Sequence, residues 1–154
     1  IGDGPLKEAT ARRAEAAGIA DRVRFLGVRG DVARLLAAMD VMVFPSLHEG
    51  LPLSLIEAQA AGLPCVVSDR VTAEADLGIG LVARLPLEAP HDAWIRGILR
   101  AAATAEPPLA RLKAADEVRR RGYDIGEAAE ELAGYYGQAC GDFTARLAEA
   151  RRVV

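Results

Sequence analysis

The sequence predicts an α/β fold, with one doubly wound parallel sheet followed by a helical extension at the carboxyl end. Short apolar runs typical of buried parallel strands alternate with Ala-rich helical stretches in the first half of the chain, and only helical patterns follow residue 92. No repeat or low-complexity linker divides the 154 residues, of which 51% are hydrophobic. A single core is therefore expected.

The amino-terminal part predicts a helix, a strand and a second helix. The first helix covers residues 5–17 and stops at Gly18, a residue suited to the left-handed conformation of a helix end. Residues 22–26 (RVRFL) alternate in polarity and predict a short strand. Asp31 then predicts the N-cap of a helix through residues 35 and 36.

The middle of the chain predicts two buried strands joined by a helix. Residues 40–44 (DVMVF) are typical of a strand covered on both faces, which we expect at the centre of the sheet. After a loop, Pro52 occupies a position where a first-turn proline is tolerated, in a helix that stops at Gly62. Residues 64–67 predict the next strand.

The carboxyl-terminal part predicts one more strand and three helices. The strand covers residues 80–85, and the helices cover residues 92–103, 109–120 and 127–136. Four aromatic side chains fall where we expect them to pack the extension onto the domain: Trp94, Tyr123, Tyr135 and Tyr136.

Charge and apolar patterning exclude several classes of protein. A net charge of −3 without a basic excess argues against a nucleic-acid surface. No run approaches the roughly 18 apolar residues of a membrane span and no signal peptide opens the chain, which predicts a soluble product. Cys65 and Cys140 lack metal-ligand spacing and are expected to be buried, reduced thiols, which fit a cytoplasmic chain. The opening IGDGPL is typical of a strand entering a turn, so we expect the chain to be part of a longer protein.

The densest polar feature follows the strand over residues 40–44. Glu49 lies in the loop and Glu57 inside the next helix, so both carboxylates are expected near the mouth of that helix. The free N–H groups of a first turn and the helix dipole favour a phosphate there. Since a carboxylate can accept hydrogen bonds from two vicinal hydroxyls, the pair would suit a diphosphate flanked by two polyols. The alternative is a solvated loop residue at Glu49 and a surface charge at Glu57.

The stretch FPSLHEGLPLSLIEAQAAGLPCVVSD, with GDGPL and RVRFLG before it, carries a family resemblance. It resembles the carboxyl-terminal domain of family 4 retaining glycosyltransferases of the GT-B fold. The mark of that family is two Glu separated by seven residues at the start of a helix, matched here by Glu49 and Glu57.

The resemblance extends over much of the chain. It is strong over residues 1–87 and weaker to Tyr136, where GYDI before a Tyr-bearing helix is similar to members that build capsular or exopolysaccharides. It implies a Rossmann-like nucleotide-sugar-binding domain over residues 1–140, with its first strand-helix unit missing upstream. Residues 141–154 would form a helical tail.

The resemblance also implies a role for each residue of the motif. Glu57 would hold the ribose hydroxyls of a donor nucleotide, and Glu49, the catalytic candidate, would face the donor hexose. Pro52 stands where many relatives have Gly and offers no N–H to a ligand. The backbone N–H groups of Gly50, Leu51 and Leu53 would reach the diphosphate and the sugar. Arg29 and Leu35, earlier in the chain, would lie against the base and ribose. Together with Pro52 and Glu57, these residues are the predicted donor-binding positions.

The implied protein is a retaining glycosyltransferase fragment that binds a nucleotide-diphosphate sugar. It would transfer a hexosyl or N-acetylhexosaminyl group to a cell-surface or exopolysaccharide acceptor, with UDP as the nucleotide that prevails in the family. The family needs no DxD motif and none is present, so no metal and no other cofactor is expected. Catalysis would consist of positioning and electrostatic stabilisation of the departing diphosphate.

The resemblance places further parts of the enzyme outside this sequence. An Arg and a Lys that neutralise the diphosphate belong to the missing upstream unit, and the glycan or lipid-linked acceptor would bind chiefly to a missing amino-terminal domain. The fragment alone is therefore expected to be inactive. The run Arg119, Arg120 and Arg121 would meet anionic lipid headgroups at the inner face of a membrane. Two other classes stay open, a non-catalytic or remnant nucleotide-binding domain and a sugar-nucleotide epimerase of the same architecture.

Overall fold

The computed structural model describes residues 1–107 and 109–150, and the side chains of this part up to residue 141. Three strands and six α-helices follow one another in the order α1, α2, β1, α3, β2, β3, α4, α5 and α6, with short 3-10 helices at Ala20–Arg22 and Ala73–Ala75. Their bounds are α1 Lys7–Ala16, α2 Val32–Ala37, β1 Met42–Phe44, α3 Leu53–Ala60, β2 Cys65–Ser68, β3 Val82–Leu85, α4 His91–Ala103, α5 Leu112–Arg120 and α6 Ile125–Ala150.

The three strands form a parallel sheet in the order β1-β2-β3. The predicted central position of β1 is wrong, because β1 lies at an edge of the described sheet and β2 lies at its centre. Every residue of β2 is buried, whereas Val43 of β1 is 41% exposed. Val43 shares a face with its partner Val66, and the helix on that face, α4, packs chiefly over β2 and β3. The sequence pattern of a buried strand is thus fulfilled by β2 and only in part by β1.

Helices cover both faces of the sheet, as the prediction of a doubly wound sheet requires. On the first face, α2 and α3 close the main core, whose members are Leu36, Leu55, Ala58, Leu63, Cys65, Val67, Val71 and Ala75. On the second face, Gly97 of α4 lies against Leu85 and Val66. α5 packs on α3 and builds a smaller cluster of Ile56, Leu77 and Val118. α3 is therefore buried between the sheet and α5.

The predicted helix ends at Gly18 and Gly62 are confirmed. Both glycines have positive φ, +68° and +64°. At the end of α3, the N–H of Gly62 donates to the carbonyl of Gln59 at 2.9 Å and that of Leu63 donates to Ala58 at 3.0 Å. This pair of bonds is a Schellman motif, which satisfies the last carbonyls of the helix.

Two predicted elements differ from the structure. The strand predicted over residues 22–26 is wrong: the segment forms no ladder in the described part, and one bond, from the N–H of Gly2 to the carbonyl of Gly27 at 2.7 Å, joins its end to the first residues. Alternating polarity alone cannot make a strand where no neighbouring strand completes the hydrogen bonds. α5 begins at Leu112, after the predicted residue 109.

α6 is much longer than the predicted helix over residues 127–136 and lies apart from the core. Every described side chain from Ile125 to Gly141 is exposed. Tyr135 and Tyr136 are 67% and 60% exposed and meet edge to face, with ring centroids 5.7 Å apart. Their predicted packing onto the domain is wrong.

Other predictions for the carboxyl-terminal part have mixed outcomes. Trp94 is half-buried and Tyr123 is 38% exposed. Cys140 is exposed, so its predicted burial is wrong, whereas Cys65 is buried as predicted. The predicted boundary between residues 140 and 141 falls inside α6, and residues 151–154 lie outside the described part. No helix in that part is long and apolar enough to cross a membrane.

Candidate functional site

The candidate site is the amino-terminal end of α3, which follows β1 through a loop over residues 45–52. Pro52 is the N-cap of α3, one position before the predicted first turn, and its carbonyl accepts from the N–H of Leu55 at 2.9 Å. No side chain caps this helix end. The N–H groups of Leu53 and Ser54 therefore face the mouth of α3, at the positive end of its dipole.

Glu49 is fixed in this loop by a neighbouring serine. The hydroxyl of Ser46 donates to Glu49 Oε1 at 2.7 Å. The Ser46 hydroxyl can also donate to the carbonyl oxygen of His48 at 3.3 Å, but the shorter and charge-assisted bond to Glu49 dominates. Glu49 is half-buried. Its carboxylate is thus oriented before any ligand arrives.

Glu57 lies on the exposed face of α3. The helix buries Leu55 and Ile56 against the domain, and Glu57 points away from them. Glu57 follows Leu53 by four residues, which places the two side chains on the same face, one turn apart. Leu53 is 64% exposed. The second carboxylate is therefore accessible one turn behind the helix mouth.

The loop between the two carboxylates is open. Gly50 is exposed, with no atom within 4 Å of the place that a side chain would take. Leu51 is 45% exposed, whereas Pro52 is buried and anchors the loop to the domain. A ligand can approach the backbone at Gly50 and Leu51 without displacing a side chain.

Arg29 lies in the loop before α2, and Leu35 lies within that helix. The Arg29 guanidinium donates two bonds to the Asp31 carboxylate, at 2.8 and 2.9 Å, and this hydrogen bonding holds the pKa of Asp31 below its ordinary value. Asp31 stands at the predicted N-cap position of α2, but its side chain does not cap the helix. The competing bond to Arg29 is the reason. Leu35 is half-buried beside the buried Leu36.

Polar residues that were not predicted from the sequence fix the loops around the site. Gln59 is fully buried and its amide donates to the carbonyl of Ala75 at 2.7 Å, while its oxygen accepts from the N–H of Leu77 at 3.0 Å. Arg84 donates to the carbonyl oxygens of Val71 and Thr72. These bonds tie the segment after β2 to α3 and β3. A Gln on the apolar face of α3 was the one available signal in the sequence.

The site is an open surface. The cavity of about 500 Å³ lined by Gly62, Leu81, Arg111 and Lys113 lies at the opposite, amino-terminal ends of the strands. Among the side chains that the structure describes, no three His, Cys, Asp or Glu residues are grouped so as to hold a metal ion.

A family model described as "Glycosyl transferases group 1" matches residues 1–103. The chain belongs to this family. The match includes α1 to α4 and the whole candidate site, and it ends before α5 and α6.

Named glycosyltransferases are similar to this group 1 domain. EpsF of Bacillus subtilis (strain 168), a glycosyltransferase by name, is 41% identical over 135 residues, which cover 88% of this chain and 35% of that protein. The D-inositol 3-phosphate glycosyltransferase of Mycobacterium marinum is 34% identical over 140 residues, with 88% of this chain and 30% of that protein covered. The chain thus spans about a third of the length of these relatives.

A shorter match concerns an enzyme of Escherichia coli, UDP-Gal:alpha-D-GlcNAc-diphosphoundecaprenol alpha-1,3-galactosyltransferase. It is 54% identical over 48 residues, or 31% of this chain and 12% of that protein. A likeness to a solved structure shows the fold of the chain. The crystal structure of WaaG, a glycosyltransferase involved in lipopolysaccharide biosynthesis, matches 82% of this chain and 34% of its own, with a TM-score of 0.62 and 22% identity. The group 1 domain therefore has the Rossmann-like fold of a GT-B glycosyltransferase, with the predicted helical extension.

Proposed function

We propose that this chain is the donor-binding part of a retaining glycosyltransferase of family 4. The observation that carries the proposal is the uncapped amino-terminal end of α3, flanked by the accessible carboxylates of Glu49 and Glu57. In this proposal the chain binds a nucleotide-diphosphate sugar, with UDP as the first nucleotide to test.

The chemistry of the helix mouth suits a diphosphate between two groups of hydroxyls. The N–H groups of Leu53 and Ser54 and the dipole of α3 would bind the diphosphate. Glu57 would accept hydrogen bonds from the two ribose hydroxyls, and Glu49 would accept them from the donor hexose. Gly50 and Leu51 would add backbone donors, whereas Pro52 has none to offer.

Arg29 and Leu35 complete the proposed donor site. Leu35 would lie against the nucleotide base, and Arg29, steered by Asp31, would lie beside the base and ribose.

Transfer in this proposal depends on positioning and on stabilisation of the departing diphosphate. A preorganised site can lower a barrier by holding the reacting groups in line and by placing donors where charge develops. Glu49 would stabilise positive charge at the reacting carbon. We propose that an Arg and a Lys on a preceding strand-helix unit neutralise the diphosphate, so that neither a metal nor another cofactor takes part. The chain alone would then be inactive.

The acceptor is proposed from the relatives. Two of them are named for transfer to sugars on diphosphoundecaprenol, one from E. coli and one from Campylobacter jejuni. We propose a glycan or lipid-linked acceptor of polysaccharide biosynthesis, bound chiefly by an additional amino-terminal domain. The transferred group would be hexosyl or N-acetylhexosaminyl. The enzyme would work in the cytoplasm, at the inner face of the membrane.

Ligand-observed NMR tests the donor site directly. We expect saturation transfer from this chain to one of UDP, GDP and ADP. Glu57→Ala should weaken that binding by about 1.5–3 kcal/mol, because the ribose hydroxyls lose a charged acceptor. Glu130→Ala, which removes an exposed carboxylate on the separate helix α6, is the matched control and should bind as the wild type does.

The alternatives predict other results. Undiminished binding by Glu57→Ala would show that the ribose lies elsewhere. Binding without transfer in the longer protein proposed to contain this chain would favour a non-catalytic domain, and conversion of the free sugar nucleotide to its epimer would favour an epimerase. Absence of binding to all three nucleotides would mean either that the proposed preceding Arg and Lys are indispensable for binding or that the chain is a remnant domain.

A further inference from the structure

Two serines connect the end of the central strand to Glu49. Ser68 is the last residue of β2 and is fully buried, and its hydroxyl donates to the carbonyl oxygen of Ser46. The hydroxyl of Ser46 in turn donates to Glu49 Oε1 at 2.7 Å. The relay crosses 22 residues of sequence and joins β2 to the loop after β1.

The direction of both bonds follows from the groups involved. A carbonyl oxygen and an ionised carboxylate can only accept, so each serine must be the donor. The single hydroxyl proton of Ser68 is committed to Ser46, and that of Ser46 to Glu49. The bond to Glu49 is the shorter of the two that the Ser46 hydroxyl can donate, so it is the one that orients the carboxylate.

The relay begins at Ser68 in the central strand and ends at Glu49 in a loop that is not part of any helix or strand. Ser68 lies in β2, where its Cα partner across the ladder is Leu85. Residues 45–52 have no regular structure between β1 and α3, so the loop depends on side-chain bonds for its conformation. A buried hydroxyl on the central strand is a fixed point from which such a loop can be held.

We propose that Ser46 and Ser68 are positioning residues that orient Glu49 for the donor sugar. This inference rests on the proposed function, in which Glu49 faces the hexose. The bond from Ser46 holds Oε1 toward the protein and leaves Oε2 to accept from a sugar hydroxyl. Without this bond the carboxylate can rotate. Binding of the sugar must then also order the Glu49 side chain, and this entropic cost lowers the affinity.

The proposal separates the sugar from the nucleotide. Ser46→Ala should reduce the affinity for a sugar nucleotide by about tenfold, the size of one hydrogen bond to a charged group, and should leave the affinity for the bare nucleoside diphosphate unchanged. Ser46→Thr keeps the hydroxyl and should restore the wild-type ratio. Ser68→Ala should change the ratio in the same direction as Ser46→Ala.

Calorimetric titrations of the chain with UDP and UDP-glucose, GDP and GDP-mannose, and ADP and ADP-glucose measure these ratios. In a Glu49→Ala background, Ser46→Ala should have no further effect on the ratio, because the two residues act through one bond. Equal losses for the nucleotide and the sugar nucleotide, or an additive effect of the two substitutions, would overturn the proposal.

A ligand-free measurement decides the positioning itself. Backbone ¹⁵N relaxation should show lower order parameters at His48, Glu49 and Gly50 in Ser46→Ala than in the wild type, with an unchanged Tm and recovery in Ser46→Thr. Unchanged order parameters would overturn the positioning role. If the wild type binds none of the six ligands, the chain alone does not form the proposed donor site, and the relaxation data alone then decide whether the serines hold the loop.

Discussion

Gly62 and Arg111 approach each other so closely that a Cβ on Gly62 would lie 2.5 Å from the Cβ of Arg111. Arg111 is itself buried, and its guanidinium donates to the carbonyl oxygens of Glu106 at 2.6 Å and Met39 at 2.7 Å. The end of α3, the end of α2 and the segment before α5 therefore meet at one point. Because α3 carries the candidate site at its other end, this contact fixes the helix that presents the site.

Gly62→Ala should destabilise the protein more than Gly18→Ala. Both glycines end a helix with positive φ, so alanine at either position costs about 1 kcal/mol of backbone strain. Only at position 62 does the new methyl group also meet Arg111, and such overpacking costs about 1–3 kcal/mol more. Urea unfolding of the two variants measures the difference. Equal free energies of unfolding would show that the contact with Arg111 relaxes without cost.

Gln59→Leu should loosen the segment that follows β2. The substitution keeps the volume but leaves the buried N–H of Leu77 and the carbonyl of Ala75 without their partner, at about 2–4 kcal/mol in all. Amide exchange of Leu77 should accelerate in step with that loss. Gln138→Leu, on the exposed surface of α6, is the control and should leave both quantities unchanged. Slow exchange at Leu77 in Gln59→Leu would mean that another group accepts its proton.

The parts of the fold that local chemistry determines were predictable from the sequence. Gly18 and Gly62 mark helix ends because a left-handed residue is required directly after the last turn. The order of the strands in the sheet could not be predicted in this way. Val43 has the sequence environment of a central strand residue, yet it is exposed because α4 packs chiefly over β2 and β3, and no local pattern records that arrangement.

The candidate site divides in the same way. The spacing of Glu49 and Glu57 around a helix start is visible in the sequence, because both belong to one continuous segment. The relay from Ser68 through Ser46 is not, since it requires knowing that β1 and β2 are neighbours in the sheet. The pair of Arg29 and Asp31 was likewise not predicted, because an aspartate directly before a helix is expected to cap that helix.

Arg29→Ala should lower the affinity for the nucleotide and leave the stability of the protein nearly unchanged. The pair of Arg29 and Asp31 is solvent-exposed, and exposed ion pairs contribute little to stability, so the Tm should hardly change. If Arg29 lies beside the base and ribose, the affinity for the nucleotide should fall severalfold. Arg12→Ala, which breaks the exposed pair with Glu8 on α1, is the control for loss of a surface cation. Unchanged nucleotide affinity in Arg29→Ala would remove Arg29 from the donor site.

The same pair predicts a small effect of acid. The bond from Arg29 lowers the pKa of Asp31 in the folded protein from the ordinary 3.8. Its contribution is therefore present above pH 3.8 and is lost as the pH falls through the lowered value. The difference in Tm between the wild type and Asp31→Asn should stay constant from pH 7 to 5 and shrink only in stronger acid. A difference that shrinks already between pH 7 and 5 would assign the effect to another group.

The thiol of Cys65 should make the protein lose stability in alkali. Cys65 is fully buried in β2, and its burial raises the pKa of the thiol from 9.0 to about 12, with the charge of Asp76 acting in the same direction. Below pH 9.0 the thiol is protonated in both states and its contribution is complete. As the pH rises from 9.0 toward 12, the Cys65 thiol ionises only in the unfolded chain, so the free energy of unfolding falls by up to about 1.4 kcal/mol per pH unit.

Urea unfolding at pH 7 to 11 measures this slope in the wild type and in Cys65→Ala. The variant keeps every other titrating group and should show a flatter decline. Cys140→Ala removes an exposed thiol and should follow the wild-type curve. Parallel curves for the wild type and Cys65→Ala up to pH 11 would mean that the buried thiol ionises in the folded protein as readily as in the unfolded one.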